Sequence, residues 1–287
     1  MTISDSLKTA MSVISAACMQ GAAVHAGADV LQGHSFLAGA SQQWKLPDKL
    51  NEISGLALTA DARLLAVTDE QAIVYELDYT EGRLVKAFAL GDPTVRGDFE
   101  GIAYSEGRVW LMTSKGVIYE AAEAEDGERV TFDEYSTGLG KFCEFEGLAF
   151  RQEDRSLLLL CKKIMRKSGL EGLRIFAWST TSREVDHGKT IMLPDRDIAA
   201  ALRMNRLNPS GIAIAPQTGN LLIVAARQRA VIELGADGDF RSAHELAAVA
   251  HRQAEGIEMT PTDEILVADE GGEHKARLAV YRPDQGE

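Results

Sequence analysis

The stretch Glu144-Phe145-Glu146-Gly147-Leu148 is one of five copies of a short motif in this chain of 287 residues. Each copy contains a polar residue, a spacer, Glu or Ser, a glycine and an aliphatic residue. The other copies are Glu52–Leu56, Asp98–Ile102, Asn208–Ile212 and Gln253–Ile257. The five glycines are 46, 46, 64 and 45 residues apart. A repeat of about 40–50 residues made of short strands is typical of a β-propeller.

Short aliphatic runs separated by turn residues follow each motif, as expected for β-strands. The first repeat contains four runs, at 54–59, 64–68, 72–78 and 83–90, which make one blade. The fifth repeat contains only three, and residues 41–46 can supply the fourth and close the ring. We therefore predict an all-β fold, a β-propeller of five four-stranded blades in one domain, residues 41–287. Six blades are the alternative, because the long third step and residues 1–40 can hide a degenerate blade.

Two segments between repeats have helical character. Asp195–Arg206 reads as a short helix and explains the step of 64 residues. Ser242–Arg252 has apolar residues at helical spacing, which predicts a second short helix. His244 and His251 would then lie two turns apart on one helix face, where packing or surface exposure is a commoner role than metal binding.

Residues 1–40 precede the first predicted strand. The mildly apolar stretch Ala10–Ala26 ends in small residues that a signal peptidase accepts, but Asp5 offsets Lys8, so a positively charged start is missing. An export signal, a short N-terminal helix and a disordered arm all remain open. No apolar run has the length of a confident membrane span. We expect a periplasmic or cell-envelope protein, with the cytoplasm as the alternative.

Charge and cysteine content exclude several classes of function. The formal net charge is −13, which argues against nucleic acid as a partner and favours the attraction of cations. The three cysteines form no CxxC pair, which argues against a cysteine-based zinc or redox site. Cys143 and Cys161 flank one predicted hairpin, but counting along regular strands does not place them opposite each other. We therefore predict that both are unpaired thiols.

The motif places acidic side chains around the axis of the propeller. The first strand of each blade lies nearest the central channel, and side chains two residues apart share one side of a strand. One tier then contains Ser54, Glu100, Glu146, Ser210 and Glu255, and the other contains Glu52, Asp98, Glu144, Asn208 and Gln253. Six of these residues are carboxylates, and the motifs contain no basic residue.

Six carboxylates near one axis cannot all ionise without compensation. Three outcomes are open: a bound cation, raised pKa values with shared protons, or neutralisation by basic groups from elsewhere. Hard oxygen ligands favour Ca²⁺, and Mg²⁺ less, so the candidate metal ligands are Glu100, Glu146, Glu255, Glu52, Asp98 and Glu144. The structural alternative is that the glutamates cap backbone N–H groups of adjacent blades.

The second strand of each blade returns to the same mouth. Its end carries Asp69 in the first repeat, Lys115 and Lys162 in the next two, Arg227 in the fourth and Asp269 in the fifth. The basic residues could orient an anionic ligand, or they could be internal counter-ions of the acidic ring. We take all five as candidate ligand-binding residues.

Several segments together resemble the SdiA-regulated (YjiK-like) bacterial family. They are LPDKLNEISGLALTADARLLAVTDEQAIVYELD from residue 46, GDFEGIAY from 97, CEFEGLAF from 143, NPSGIAIAPQTGNLLIVAARQRAVIELGADGD from 208 and QAEGIEM from 253. The resemblance covers residues 45–282 and implies an exported, often membrane-tethered β-propeller without a settled activity. The family usually has Ser-Asp-Glu where this chain has Ala225-Ala226-Arg227, so an acidic site there is lost. A more distant similarity to lactonase-type and phytase-type propellers implies Glu100, Glu146 and Glu255 as calcium ligands.

Two functions follow from these observations. The first is a cation-binding, monomeric cell-envelope module that takes a small molecule or a protein at the channel mouth. The second is a Ca²⁺-dependent hydrolase of a phosphoester or lactone, in which Lys115, Lys162 or Arg227 holds the charge of the substrate. The motifs contain no histidine as general base, and GxSxG, HExxH and Walker motifs are absent. The binding module is therefore favoured.

Overall fold

The computed structural model describes residues 29–284. Within this range, 21 strands form five sheets arranged in a ring, which confirms the β-propeller of five four-stranded blades. The described residues form no sixth blade. The repeat of the motif therefore corresponds to the repeat of the blades.

The strands follow the predicted runs closely. They are β1 (Gln42–Lys45), β2 (Ile53–Leu58), β3 (Leu64–Thr68), β4 (Ile73–Asp78), β5 (Arg83–Leu90), β6 (Phe99–Ser105), β7 (Arg108–Thr113), β8 (Val117–Ala122), β9 (Arg129–Val130), β10 (Phe132–Ser136), β11 (Cys143–Arg151), β12 (Ser156–Ile164), β13 (Arg174–Ser179), β14 (Glu184–Met192), β15 (Gly211–Ile214), β16 (Leu221–Ala225), β17 (Ala230–Leu234), β18 (Phe240–Glu245), β19 (Ala254–Met259), β20 (Ile265–Asp269) and β21 (Arg277–Tyr281).

Each blade is an antiparallel sheet whose first strand in the repeat is innermost. Blade 1 contains β2–β5, blade 2 contains β6–β8 and β10, blade 3 contains β11–β14, blade 4 contains β15–β18, and blade 5 contains β19–β21 and β1. The short strand β9 adds to the outer edge of β5 in parallel. Short 3-10 helices cover 31–33, 48–50, 139–141 and 226–228.

Strand β1 closes the ring as predicted. It pairs antiparallel with β21, with Gln42 opposite Val280 and Lys45 opposite Arg277. The indole nitrogen of Trp44 also donates to the carbonyl of Tyr79 in blade 1, at 3.0 Å. Blade 5 therefore contains strands from both parts of the chain and contacts blade 1.

The hydrophobic core is divided among the junctions between neighbouring blades. Five apolar clusters fill these junctions, one for each pair of blades. Between blades 5 and 1, for example, Leu266 and Leu278 pack with Leu64 and Leu77. Strands such as β3 are apolar on both faces because each sheet is covered on both sides.

The helix α1 covers Asp195–Leu202 and accounts for the long step between the third and fourth motifs. It ends at Arg203, whose φ is 52°. The second predicted helix, Ser242–Arg252, is wrong. Residues up to Glu245 belong to β18, which pairs with β17, and only one turn follows, in which the N–H of His251 donates to the carbonyl of Ala247. A single turn is enough to give Leu246 and Ala250 a helical spacing.

The prediction of unpaired cysteines is also wrong, because Cys143 and Cys161 form a disulfide with a Cα–Cα distance of 5.8 Å. Their strands β11 and β12 are adjacent, but the pairing shifts register between Glu144 and Phe145 and again before Leu148. These irregularities bend β11, so counting along a regular strand does not locate its first residue. Both cysteines are buried between blades 2 and 3.

Residues 29–40 pack against the propeller. Leu31 and Phe36 are buried at the junction of blades 4 and 5. The backbone N–H groups of Val30 and Leu31 donate to the carboxylate of Glu233, both at 3.0 Å. The predicted export signal, Ala10–Ala26, lies outside the described residues. Among the described residues, no helix combines the length and the apolar character that crossing a membrane requires.

Candidate functional site at the channel mouth

The inner strands converge so closely that the channel is nearly closed at its waist. Between the inner strands lies a space of only about 10 Å³, lined by the motif glycines and the aliphatic residues that follow them. A Cβ added to Gly101 would lie 2.7 Å from the Cβ of Leu148, so glycine is required for this approach. The waist separates an upper mouth, where the inner strands begin, from a lower pocket, where they end.

Three glutamates from three blades interact at the upper mouth. Burial, followed by the charges of Glu146 and Asp98, raises the pKa of Glu100 to about 9. Burial, followed by the charge of Glu146, raises the pKa of Glu255 to about 8. The three side chains therefore lie close enough to disfavour one another's ionisation, which places the predicted tier of acids around one axis.

Lys162 stands among these glutamates. Its Nζ donates a short hydrogen bond to Glu146 Oε1. Burial disfavours the ammonium, but this bond and the charges of Glu255 and Glu100 outweigh burial and raise the pKa of Lys162. Burial also raises the pKa of Glu146, although Lys162 opposes the shift. The upper mouth thus combines two predicted outcomes, raised pKa values and an internal counter-ion.

Ser54 and Ser210, the two serines in the tier of Glu100, Glu146 and Glu255, form hydrogen bonds with backbone groups. Ser210 Oγ donates to the carbonyl of Ala254 at 2.6 Å and accepts from the N–H of Ala226 at 3.0 Å. Ser54 Oγ donates to the carbonyl of Val67. Within residues 29–284, no backbone N–H group donates to Glu100, Glu146 or Glu255. Ser210 thus links the backbone of blade 4 to that of blade 5, whereas the glutamates cap no backbone N–H group in this range.

The tier of Glu52, Asp98, Glu144, Asn208 and Gln253 is more exposed, and some of its side chains are paired. Asp98 Oδ2 accepts a short hydrogen bond from Ser114 Oγ. Glu144 accepts from Lys163 Nζ at 3.0 Å. Glu52 belongs to a second acidic group, in which burial and then the Glu52 charge raise the pKa of Asp69 to about 6. The same two causes raise the pKa of Glu270.

Asp269 is occupied by internal hydrogen bonds. Its Oδ1 accepts from the N–H groups of Arg252 and Gln253, at 2.9 and 3.1 Å. Its Oδ2 lies 2.7 Å from Nδ1 of the buried His251, whose Nε2 contacts the hydroxyl of Tyr281. This network holds the end of β20 against the entry to β19.

Lys115 and Arg227 are exposed at the upper face. Neither forms a salt bridge with any residue in the range 29–284. Lys162 is therefore the predicted basic residue that enters the cluster, whereas the other two are available to solvent.

The donor chemistry at the upper mouth suits a hard divalent ion, but the arrangement is not a ready ligand set. Carboxyl groups from three blades interact electrostatically there, and carboxylate oxygens are the ligands that Ca²⁺ prefers. However, in the described part of the chain, no three His, Cys, Asp or Glu side chains are placed to hold a metal ion. The hydrogen bond from Lys162 also uses one oxygen of Glu146.

Three side chains that the sequence did not single out take part in interactions or line a pocket. Glu258, in the fifth motif strand, lines the lower pocket. His251 joins Asp269 to Tyr281, and Glu233 binds the segment before β1. Glu258 could have been found by aligning the five motif strands, because it stands where the other four have alanine.

Comparison with protein families identifies the group to which this propeller is related. A family model described as SdiA-regulated matches residues 41–272. The chain belongs to the SdiA-regulated family. A search of curated proteins finds no match. For this SdiA-regulated protein, the match covers all five motifs and hence all of the upper mouth.

Solved structures similar to the SdiA-regulated chain share its fold. Glutaminyl cyclase from Myxococcus xanthus is 15% identical, with a TM-score of 0.56 over 86% of this chain and 97% of that chain. A luciferin-regenerating enzyme is 10% identical, with a TM-score of 0.52 over 84% and 93%. The PQQ-bound aldose sugar dehydrogenase from Streptomyces coelicolor is 14% identical, with a TM-score of 0.50 over 84% and 97%. At these identities the similarity concerns the fold alone.

Proposed function

We propose that this SdiA-regulated propeller is a binding module that takes up a cation at its upper mouth. The observation that carries the proposal is the convergence of Glu100, Glu146 and Glu255 from three blades around the single ammonium of Lys162. When fully ionised, these four groups leave two negative charges, which one divalent ion balances. Ca²⁺ is the ion we propose, ahead of Mg²⁺, because a flexible set of oxygen ligands suits it better.

Protons are the competitors of the ion at this site. The pKa values of about 9 for Glu100 and about 8 for Glu255 mean that both carboxyls hold protons near neutral pH. A bound ion must displace those protons and draw the carboxylates together. Its affinity should therefore rise with pH, and its binding should release protons.

Isothermal titration of chelator-treated protein with CaCl₂ and then with MgCl₂ tests the proposal. We expect one Ca²⁺ per chain, proton release revealed by buffers of different ionisation heat, and a higher melting temperature. Glu146→Gln should abolish binding, whereas Glu171→Gln, at an exposed position outside the motifs, should leave it unchanged. No heat and an unchanged melting temperature at millimolar Ca²⁺ would contradict the proposal.

We further propose that the protein works in the cell envelope. The Cys143–Cys161 disulfide supports this location, since disulfides persist in the periplasm and are rare in a reducing cytoplasm. Alkylation of free thiols in fractions of the host cell tests it. The disulfide should be found in periplasmic protein, and recovery of reduced protein from the cytoplasm alone would favour the alternative.

A second candidate is a Ca²⁺-dependent hydrolase of a phosphoester or lactone. It is favoured by Glu100, since a carboxyl with a pKa of about 9 keeps a proton that a general acid could donate. The exposed cations Lys115 and Arg227 at the same face could hold an anionic substrate, and the ion would polarise the scissile group. A panel of phosphoesters and lactones, assayed with and without chelator, separates the two functions. If the protein turns over a substrate, and chelator and the Glu146→Gln substitution each abolish this turnover, the hydrolase is favoured over the binding module.

The partner of the module is a small molecule or a protein bound at the same mouth, and we propose that the chain acts as a monomer. Gel filtration with light scattering at several concentrations tests the monomer. A mass that corresponds to a dimer throughout would contradict it.

A further inference from the structure

The fifth motif strand differs from the other four at one position. Two residues beyond the glycine, the first four repeats carry Ala57, Ala103, Ala149 and Ala213, whereas the fifth carries Glu258. The position lies past the waist, at the lower end of the inner strands. One blade therefore places a carboxyl where the others place a methyl group.

A pocket of about 410 Å³ opens at this lower end. Its lining includes Ala57, Ala103 and Ala149, whose small side chains leave the space open, and Glu258. Its walls are largely apolar: Leu58, Tyr104, Phe150 and Ile214 are only partly buried because they face it. A volume of this size lies within the range of about 300–1,000 Å³ that is usual for small-molecule sites.

The carboxyl of Glu258 has no ionic partner among residues 29–284. Its Oε2 accepts from the N–H of Met259 at 3.2 Å, and the N–H of Leu58 is a second backbone donor. Burial outweighs these bonds and raises the pKa of Glu258 to about 8. A carboxyl in such surroundings gains from a positively charged or N–H-bearing partner.

The rest of the lining supplies no cation. Two further carboxylates, Glu106 and Glu153, line the pocket, and Arg155 pairs with Glu106. No Lys, Arg or His is among the described residues that line it. Above, the waist of about 10 Å³ separates this pocket from the upper mouth. The lower pocket is thus a separate compartment with an acidic group in an apolar wall.

We propose that the lower pocket binds a small molecule that carries an amino group on an apolar body. The ammonium would pair with Glu258, and the body would lie against Leu58, Tyr104 and Phe150. Tyr104 and Phe150 offer the body a large apolar contact area. This site is independent of the cation proposed for the upper mouth.

Isothermal titration with phenethylamine and hexylamine at about pH 9, where the carboxyl of Glu258 is ionised and both amines are still protonated, tests this site, with the neutral analogue 2-phenylethanol as comparison. The two amines should bind the wild-type protein. The alcohol should bind at least about tenfold more weakly than phenethylamine, because it lacks the charge. Glu258→Gln and Glu258→Ala should weaken amine binding about tenfold or more and leave alcohol binding unchanged. Alanine is the residue of the other four blades, so this variant should fold, which circular dichroism and the melting temperature verify.

Two further measurements assign the binding to the lower pocket. Glu100→Gln should bind the amines as the wild type does, and CaCl₂ should not compete with them. Failure of both amines to bind, or equal affinity in the wild type and in folded Glu258 variants, would overturn the proposal. Either outcome is independent of the cation titration at the upper mouth.

Discussion

Lys162 is the residue on which the electrostatics of the upper mouth depend. It is held between Glu146, to which it donates, and the charges of Glu100 and Glu255. Its side chain is 28% exposed, and that of Glu146 is only 6% exposed. Removal of one partner of such a pair leaves a poorly solvated charge.

Lys162→Met should therefore destabilise the protein by about 2–3 kcal/mol near neutral pH, since Glu146 loses its counter-ion. The loss should be smaller near pH 5, because Glu146 can then take up a proton at little cost. Urea unfolding at both pH values measures the difference. The control is Lys115→Met, which removes an exposed lysine with no salt bridge to described residues. Equal losses in the two variants would contradict the role of Lys162.

Glu100 should make the protein less stable as the pH rises. Its folded pKa of about 9 exceeds the ordinary value of 4.5, so the folded protein binds this proton more tightly than the unfolded chain does. The free energy of unfolding should then fall between about pH 5 and pH 9. Glu100→Gln lacks this dependence and should be more stable than the wild type near pH 9.

Glu100→Gln should raise the free energy of unfolding by about 2 kcal/mol near pH 9. A single independent group would contribute about 1.4 kcal/mol for each unit by which its pKa is raised, but the clustered acids titrate together, so the expected gain is smaller. The two proteins should be similarly stable near pH 5. Urea midpoints in chelator-containing buffer provide the measurement, with Glu171→Gln as control. A wild-type stability that rises through this range would exclude the mechanism.

At the scale of elements, the inner strands combine regular spacing with local irregularity. Four of the five show a register shift next to the motif glycine, as in β2 between Ile53 and Gly55. The shift brings consecutive motif residues towards the mouth and bends the strand. In β11 this bend also brings Cys143 to Cys161.

Replacement of both Cys143 and Cys161 by serine should cost about 3 kcal/mol, as expected for a loop of this length in the unfolded chain. The two cysteines are 18 residues apart. Urea unfolding without reductant measures the loss. Reductant should lower the stability of the wild type to that of the variant and leave the variant unchanged. A reductant-insensitive wild type would show that the disulfide does not form.

Gly101→Ala should destabilise the waist by about 1–3 kcal/mol, the usual cost of overpacking. The new Cβ would meet the Cβ of Leu148 at 2.7 Å and its backbone N at 2.8 Å, and a backbone atom cannot easily give way. Thermal melting of the variant provides the measurement. Gly33→Ala is the matched control, since nothing lies within 4 Å of its added Cβ. Equal melting temperatures for the two variants would mean that the waist is looser than described.

The elements that the sequence predicts well are those marked by the repeat or by a break in its spacing. The motif strands, the closing strand at 41–46 and the helix beginning at Asp195 follow from spacing and periodicity alone. The Cys143–Cys161 pair and the turn after Glu245 were missed, because a register shift and a single turn are invisible to period counting. The convergence of Glu100, Glu146 and Glu255 follows from the repeat. The position of Lys162 among them depends on side-chain packing, which the motif does not encode.

At the scale of the whole molecule, stability depends on ring closure. The pairing of β1 with β21 completes blade 5 and covers its edge, and Trp44 bonds to Tyr79 of blade 1. Without β1, blade 5 would expose the unpaired edge of β21. An open edge of this kind promotes aggregation.

A chain that begins at residue 47 should therefore lose cooperative unfolding and aggregate, whereas a chain that begins at residue 29 keeps every described contact. Circular dichroism melts and light scattering compare the two. Addition of a synthetic peptide of residues 29–46 should restore part of the stability of the shorter chain. A soluble, cooperatively melting chain from residue 47 would contradict the importance of closure.

The order of β1 and β21 along the chain also affects how the protein is made. The ribosome produces β1 about 230 residues before its partner β21. At about 5–20 residues per second, the early strand waits roughly ten to fifty seconds for its partner. Until the last blade is synthesised, β1 therefore has no strand to pair with, and this open segment can associate with other newly made chains.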